Sequence, residues 1–211
     1  MKNKANNTEA QILAAADHLF THKGFNATST TDIAREAQCN QALVHYYFRT
    51  KENLFQTVFT RRLESIIQRL QEPLVKGDDI FTTLRHIVDT YFDIIGKDPQ
   101  IPFFLLNELI LNPERQHLIQ QAITDSLILK DFFRQYSETV DRAIACGQIR
   151  PIDPKELYLD LISLVVFSFL ALPLAQNVLQ IDQSEAFLSQ RREQVFDLLE
   201  GGIKKGAPSA Q

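Results

Sequence analysis

Apolar residues recur along this chain at helical spacing, and polar caps separate the stripes. Ile12, Ala16, Leu19 and Phe20 predict a first helix over 8–23, stopped at Gly24. Ser29-Thr30-Thr31-Asp32 has capping-box form and opens a short helix through Ile33, Ala34 and Ala37. Asn40 is placed to cap a third helix over 41–47, and Thr50 a long fourth from Lys51 toward Leu70. After a break at Glu72-Pro73 and 76–79, Ile80, Leu84, Ile87, Val88, Tyr91 and Ile95 form a fifth stripe with Gly96 as its stop. Residues 101–111 read as a short apolar helix. Asn112-Pro113-Glu114 opens a long segment closing at Gly147, Asp153-Pro154 opens an eighth helix reaching about Ala175, and Asp182-Gln183-Ser184-Glu185 opens the last. The expectation is an all-α chain of about nine helices, the first three or four short and closely connected.

Composition narrows the classes. The 211 residues include only seven Gly, against glycine-rich phosphate loops and most all-β folds. Cys39 and Cys146 are far apart and lack metal-cluster spacing, so a reducing, cytoplasmic setting is expected. The first eight residues have no apolar signal core, and the apolar stretch 157–175 is interrupted by Asp160, Ser163, Ser168 and Pro173, so no membrane partner is expected. The overall charge of −4 is uneven: residues 1–62 carry eight basic and five acidic side chains, leaving the remainder acidic. Such an asymmetry suits an N-terminus that faces a polyanion.

Residues 25–55 hold two short helices joined by a tight turn, the spacing of a helix-turn-helix. Ile33, Ala34 and Ala37 of the first and Val44 and Phe48 of the second face a shared core. Gln41 and His45 form an outward i,i+4 pair, with Ala42 and Leu43 near the helix start. Gln41 has the groups to read adenine, Ala42 and Leu43 can pack on thymine methyls, and His45 can reach a base edge or a phosphate. Thr30, Thr31, Tyr47, Thr50 and Lys51 are candidate phosphate contacts. Spacing alone leaves open a helix-turn-helix that never meets DNA, with Gln41 and His45 merely solvated.

The segments 27–34 (Ala-Thr-Ser-Thr-Thr-Asp-Ile-Ala), 41–48 (Gln-Ala-Leu-Val-His-Tyr-Tyr-Phe) and 50–54 (Thr-Lys-Glu-Asn-Leu) resemble the DNA-binding signature of the tetracycline-repressor (TetR) family of bacterial regulators. The resemblance covers roughly residues 8–55. It implies a homodimeric, ligand-responsive repressor released from a palindromic double-stranded DNA operator by a small-molecule effector. The expected division is a three-helix DNA-binding head, residues 1–50, and a six-helix effector-binding and dimerisation body, residues 51–211. Family DNA contacts fall by position on Thr30, Thr31, Gln41, Ala42, Leu43, His45, Tyr47 and Lys51. Two positions depart from the pattern: Gln38 stands where the turn usually holds Gly, and His45 where a tyrosine is frequent.

In the body, residues 101–111 are apolar around the whole helix, so Asn107 is expected inside and in need of a partner, either protein or ligand. Tyr91, Phe103, Phe104, Glu108, Phe132, Phe133, Tyr136 and Phe167 are candidate walls of an aromatic effector pocket; a plain core is the alternative. The eighth helix offers Leu157, Leu161, Leu164 and Val165 on one face and Leu159, Ile162, Val166 and Phe169 on another. The second face, with Leu188, Val195, Phe196 and Leu199 of the last helix, is expected to form the dimer seam. His18 with His22 and Asp17, and His86 with Asp89 and Asp93, lack dependable further ligands, and solvated helix faces are the simpler reading. No nucleotide-loop, zincin or nucleophile-elbow motif occurs. No cofactor is expected, and an enzyme would need a dispersed site such as Glu108 with His86.

Overall fold

The computed structural model describes residues 2–106, 113–180 and 185–205. Twelve helices form among them: α1 (Lys2–Lys23), α2 (Thr30–Glu36), α3 (Gln41–Phe48), α4 (Lys51–Leu70), α5 (Glu72–Lys76), α6 (Ile80–Lys97), α7 (Gln100–Leu106), α8 (Pro113–Asp125), α9 (Leu127–Ala145), α10 (Pro154–Leu170), α11 (Leu172–Leu179) and α12 (Glu185–Ile203). The only β feature among the described residues is an isolated bridge, Ile149 to Lys204. The all-α expectation holds.

The count exceeds nine for local reasons. Pro73 sits in the first turn of α5, where its missing N–H costs nothing, so the expected break carries a short helix. The long segment after residue 113 is divided at Ser126, whose hydroxyl donates to Glu64 Oε1 at 3.0 Å. The eighth predicted helix is divided at Ala171. Pro173 cannot donate to the carbonyl of Phe169, and α10 and α11 meet at a 58° bend. Gly96 does not stop α6, which continues to Lys97. The predicted caps at Asn112 and at 182–184 lie outside the described residues.

The chain divides into two compact units. The first comprises residues 1–65 and 103–126. Its core takes Ile12, Ala16, Leu19 and Phe20 from α1, Ile33 and Ala34 from α2, and Val44 and Phe48 from α3. Leu54, Phe55, Val58 and Phe59 of α4 complete it, so packing extends this unit beyond a cut at residue 50.

The second unit comprises residues 66–102 and 127–211. All six residues of the predicted α6 stripe are buried there. Leu157, Leu161, Val165 and Phe169 of α10 and Val195, Phe196, Leu199 and Ile203 of α12 join them. Phe169 packs on Phe92 at 5.2 Å between ring centroids, and the Arg85 guanidinium lies 3.8 Å from the Phe196 centroid. Among the described residues no single helix is long and apolar enough to cross a membrane; α10 and α11 pass by length and composition only as a bent pair.

Candidate nucleic-acid interface and body surfaces

The start of α2 is fixed by its own sequence. Ser29 Oγ accepts from Asp32 N–H at 3.1 Å, and Asp32 accepts in return from the Ser29 backbone and hydroxyl. Those bonds, with the nearby Arg35, hold the Asp32 carboxyl below the usual carboxylate range. The turn to α3 passes through Gln38 at φ 52, the left-handed backbone that glycine would adopt freely. Cys39 N–H then closes on Ala34 O at 2.9 Å, and Asn40 Oδ1 takes the Ala42 N–H at 2.9 Å to start α3.

Val44 and Phe48 anchor α3, leaving Gln41, Ala42, Leu43 and His45 exposed. Gln41 is not loose: its Nε2 donates to Thr30 Oγ1 at 3.0 Å, joining the first residues of the two helices. His45 Nδ1 lies 3.1 Å from Arg49 O. Thr31 and Thr50 are exposed, Tyr47 is half-buried, and Thr50 Oγ1 also caps α4 through Asn53 N–H at 3.1 Å.

Lys51 has a role that its position in the motif did not indicate. Its Nζ donates to Phe25 O at 3.0 Å and Thr28 O at 2.9 Å and lies 4.0 Å from the Phe25 ring centroid. The expected phosphate-seeking cation is therefore engaged inside the fold, tying the loop after α1 to the start of α4. The excess positive charge of the N-terminal residues is similarly committed in part, since Arg35, Arg61 and Arg62 face Asp32, Glu9 and Asp17.

Tyr46 is not among the contacts expected from the sequence, although the helical period marks it. At about 100° per residue it lies opposite the mean direction of Val44 and Phe48. It is 76% exposed, the outermost large side chain of α3, with its ring edge-on to Tyr47 at 5.2 Å.

The predicted pocket residues separate. Phe104 packs against Phe55 and Phe59 in the first unit, at 5.9 and 6.3 Å, whereas Phe103 is exposed. In the second unit Tyr91, Phe132, Phe133 and Tyr136 gather around Tyr158, a residue not anticipated. Tyr91 Oη and Tyr158 Oη are 2.6 Å apart, and the rings of Phe133 and Tyr136 stand 5.0 and 5.5 Å from that of Tyr158. Phe167 lies elsewhere on α10 and is 66% exposed. Asn107 and Glu108 lie outside the described residues.

Half of the predicted dimer seam also moves. Phe169, Val195, Phe196 and Leu199 are buried within their own unit, because α10 and α12 turn those positions toward α6 and each other. Leu159 of the expected seam faces outward, as do Phe167 and Leu198. Ile162 and Val166, half-buried, line a groove of about 470 Å³ with Phe167, Leu170 and Arg191, while Leu188 is half-buried on α12. His18 pairs with Glu36 Oε1 at 2.6 Å, and His86 Nε2 meets Arg69 O at 2.8 Å. No group of three metal-ligating side chains occurs among the described residues.

Two family models match this chain: "Bacterial regulatory proteins, tetR family" over residues 12–58, and "Tetracyclin repressor-like, C-terminal domain" over residues 81–199. The chain belongs to the TetR family. Its first matched region holds the helix-turn-helix and its second runs from α6 into α12.

Among the family's members, QacR of Staphylococcus aureus is 26% identical over 133 residues, covering 63% of this chain and 57% of QacR. The transcriptional activator FasR of Mycolicibacterium smegmatis is 25% identical over 121 residues, 56% of this chain and 55% of FasR. The matched region thus spans little more than half the length of these two relatives. The fold is shared with FadR of Bacillus subtilis, solved in complex with stearoyl-CoA, at a TM-score of 0.71 and 19% identity, covering 92% of this chain and 99% of FadR.

Proposed function

We propose that this chain is a transcriptional regulator of the repressor type that binds a palindromic operator as a homodimer in the cytoplasm. The observation that carries the reading is the outward end of α3: Gln41 held against Thr30, with Ala42, Leu43, His45 and Tyr46 exposed beside it. A recognition helix meets base edges with such N-terminal residues. Thr30, Thr31, Tyr47 and Thr50 are its phosphate contacts; Lys51 contributes mainly by holding the head's shape. The exposed Leu159, Phe167 and Leu198, with the groove at Ile162 and Val166, support an isologous seam of α10 and α12 from two copies. Two heads so joined meet successive major grooves about 34 Å apart.

A small, largely apolar effector binding in the body releases the operator by favouring a conformer whose heads no longer fit that spacing. The stearoyl chain of the stearoyl-CoA bound to FadR supports an effector with a large apolar part.

The test is operator selection from random duplexes with the full-length chain. A palindromic consensus is expected. Gln41→Ala should cost about 1–3 kcal/mol at particular base positions only. Phe167→Asp should give folded monomers that lose the palindrome. No enriched duplex, or equal losses on every sequence for Gln41→Ala, overturns the reading.

A further inference from the structure

The tyrosine hydroxyls of the second unit are not all paired by the fold. Tyr91 on α6, Tyr136 on α9 and Tyr158 on α10 bring three hydroxyls, each with one proton to donate. One hydrogen bond joins Tyr91 and Tyr158, so it uses one proton of that pair. The Tyr136 Oη is buried with no hydrogen-bond partner among the described residues, on a side chain only 1% exposed. Two O–H groups are therefore unspent within an aromatic shell of Phe132, Phe133 and the tyrosine rings themselves. Leaving a buried polar group unpaired costs about 1–3 kcal/mol, so native proteins give nearly all such groups a partner, whether protein, water or ligand.

We propose that this cluster is the recognition point of the effector site, and that it takes an uncharged, flat or aromatic molecule presenting one hydrogen-bond acceptor, such as a carbonyl oxygen, to Tyr136. The inference rests on the effector reading above and specifies its chemistry. Phe133, which is 36% exposed and edge-on to Tyr158, is the side chain that must swing aside for entry. An anion is disfavoured on two grounds. Among the described residues the shell consists of phenols and phenyl rings, and burial first, then the negative charge of Asp160, opposes a negative charge on Tyr136. A molecule without an acceptor fills the shell but leaves the two donors unspent.

Three matched probes test this on the full-length chain by calorimetry and thermal shift: acetophenone, which carries the carbonyl; benzoate, which carries a charge; and ethylbenzene, which carries neither. Acetophenone should bind most tightly. Tyr136→Phe should weaken acetophenone about three- to tenfold while leaving ethylbenzene unchanged. The same variant without any probe should melt no lower than the parent, since the hydroxyl it lacks had no partner. Tyr91→Phe, which removes one hydroxyl of the pair, should weaken acetophenone by less.

The inference is overturned by a lower melting temperature of unliganded Tyr136→Phe, by equal weakening of acetophenone and ethylbenzene, by tightest binding of benzoate, or by no saturable binding of any probe. Acetophenone binding that obeys Tyr136 yet leaves operator affinity unaltered supports the site and removes only its coupling to DNA.

Discussion

The two units each contain a cluster of aromatic rings, and the clusters differ in what they leave unfinished. In the first, Phe20, Phe25, Phe55, Phe59 and Phe104 meet with centroids 5.1–6.3 Å apart and carry no polar atom. Lys51, whose ammonium lies over Phe25, directs that ammonium to two backbone carbonyls. In the second, rings at similar spacing carry hydroxyls that the fold does not fully use. Ring packing is thus a property of both cores. The pairing of hydroxyls is what separates the two clusters, and on the inference above it is what lets the second meet a further molecule.

Removing a ring should hurt both clusters alike. Phe55→Ala and Phe132→Ala, both at fully buried positions, should each cost about 3–5 kcal/mol by denaturant melting. If Phe132→Ala were nearly neutral, the second cluster would not be a packed core in the unliganded state. A smaller effect is expected where the first cluster meets its charge: Lys51→Met keeps the stem over Phe25 but forfeits the two carbonyls, costing about 1–3 kcal/mol. The same variant should weaken binding to all duplexes through loss of head stability, and added salt should not restore the difference. At neutral pH the smallest effect belongs to ionisation of the second cluster. Burial pushes the Tyr91 phenol up to about 12, and pushes Tyr136 and Tyr158 up as well. The stability held by these neutral phenols is complete below the unfolded value near 10 and is lost as pH rises through about 12. Tyrosinate absorbance from these three buried side chains should therefore rise in step with loss of near-ultraviolet circular dichroism; ionisation of all three without unfolding would contradict their burial.

Much of the fold was legible because caps and periods are local. The Ser29–Asp32 box, the Asn40 cap and the whole α6 stripe are where the pattern puts them, and Gln38 adopts the backbone of the glycine it replaces. What was not legible depended on distant packing. α10 carries apolar residues on more than one face, so nothing local says that Phe169 turns inward and Phe167 outward. Lys51 finds its carbonyls on residues 23 and 26 positions away, a pairing that only the folded chain creates. Tyr158 joins Tyr91 across 67 residues for the same reason. Grouping Phe104 with Tyr91 treated all aromatic residues as equivalent, whereas their neighbours assign them to different cores.

The hydrogen bond from Gln41 to Thr30 ties together two positions eleven residues apart. It spends one of the two protons of the Gln41 amide and leaves the other proton and the oxygen, a donor and an acceptor of the kind that pairs with the adenine edge. On the proposed reading, specificity is then partly set by a residue with no base of its own. Thr30→Val would free the amide to rotate, and the base preference opposite Gln41 would broaden although no base contact had been deleted. Divergence of such a regulator toward a new operator would accordingly proceed through paired changes at positions 30 and 41, with either change alone passing through a less discriminating intermediate.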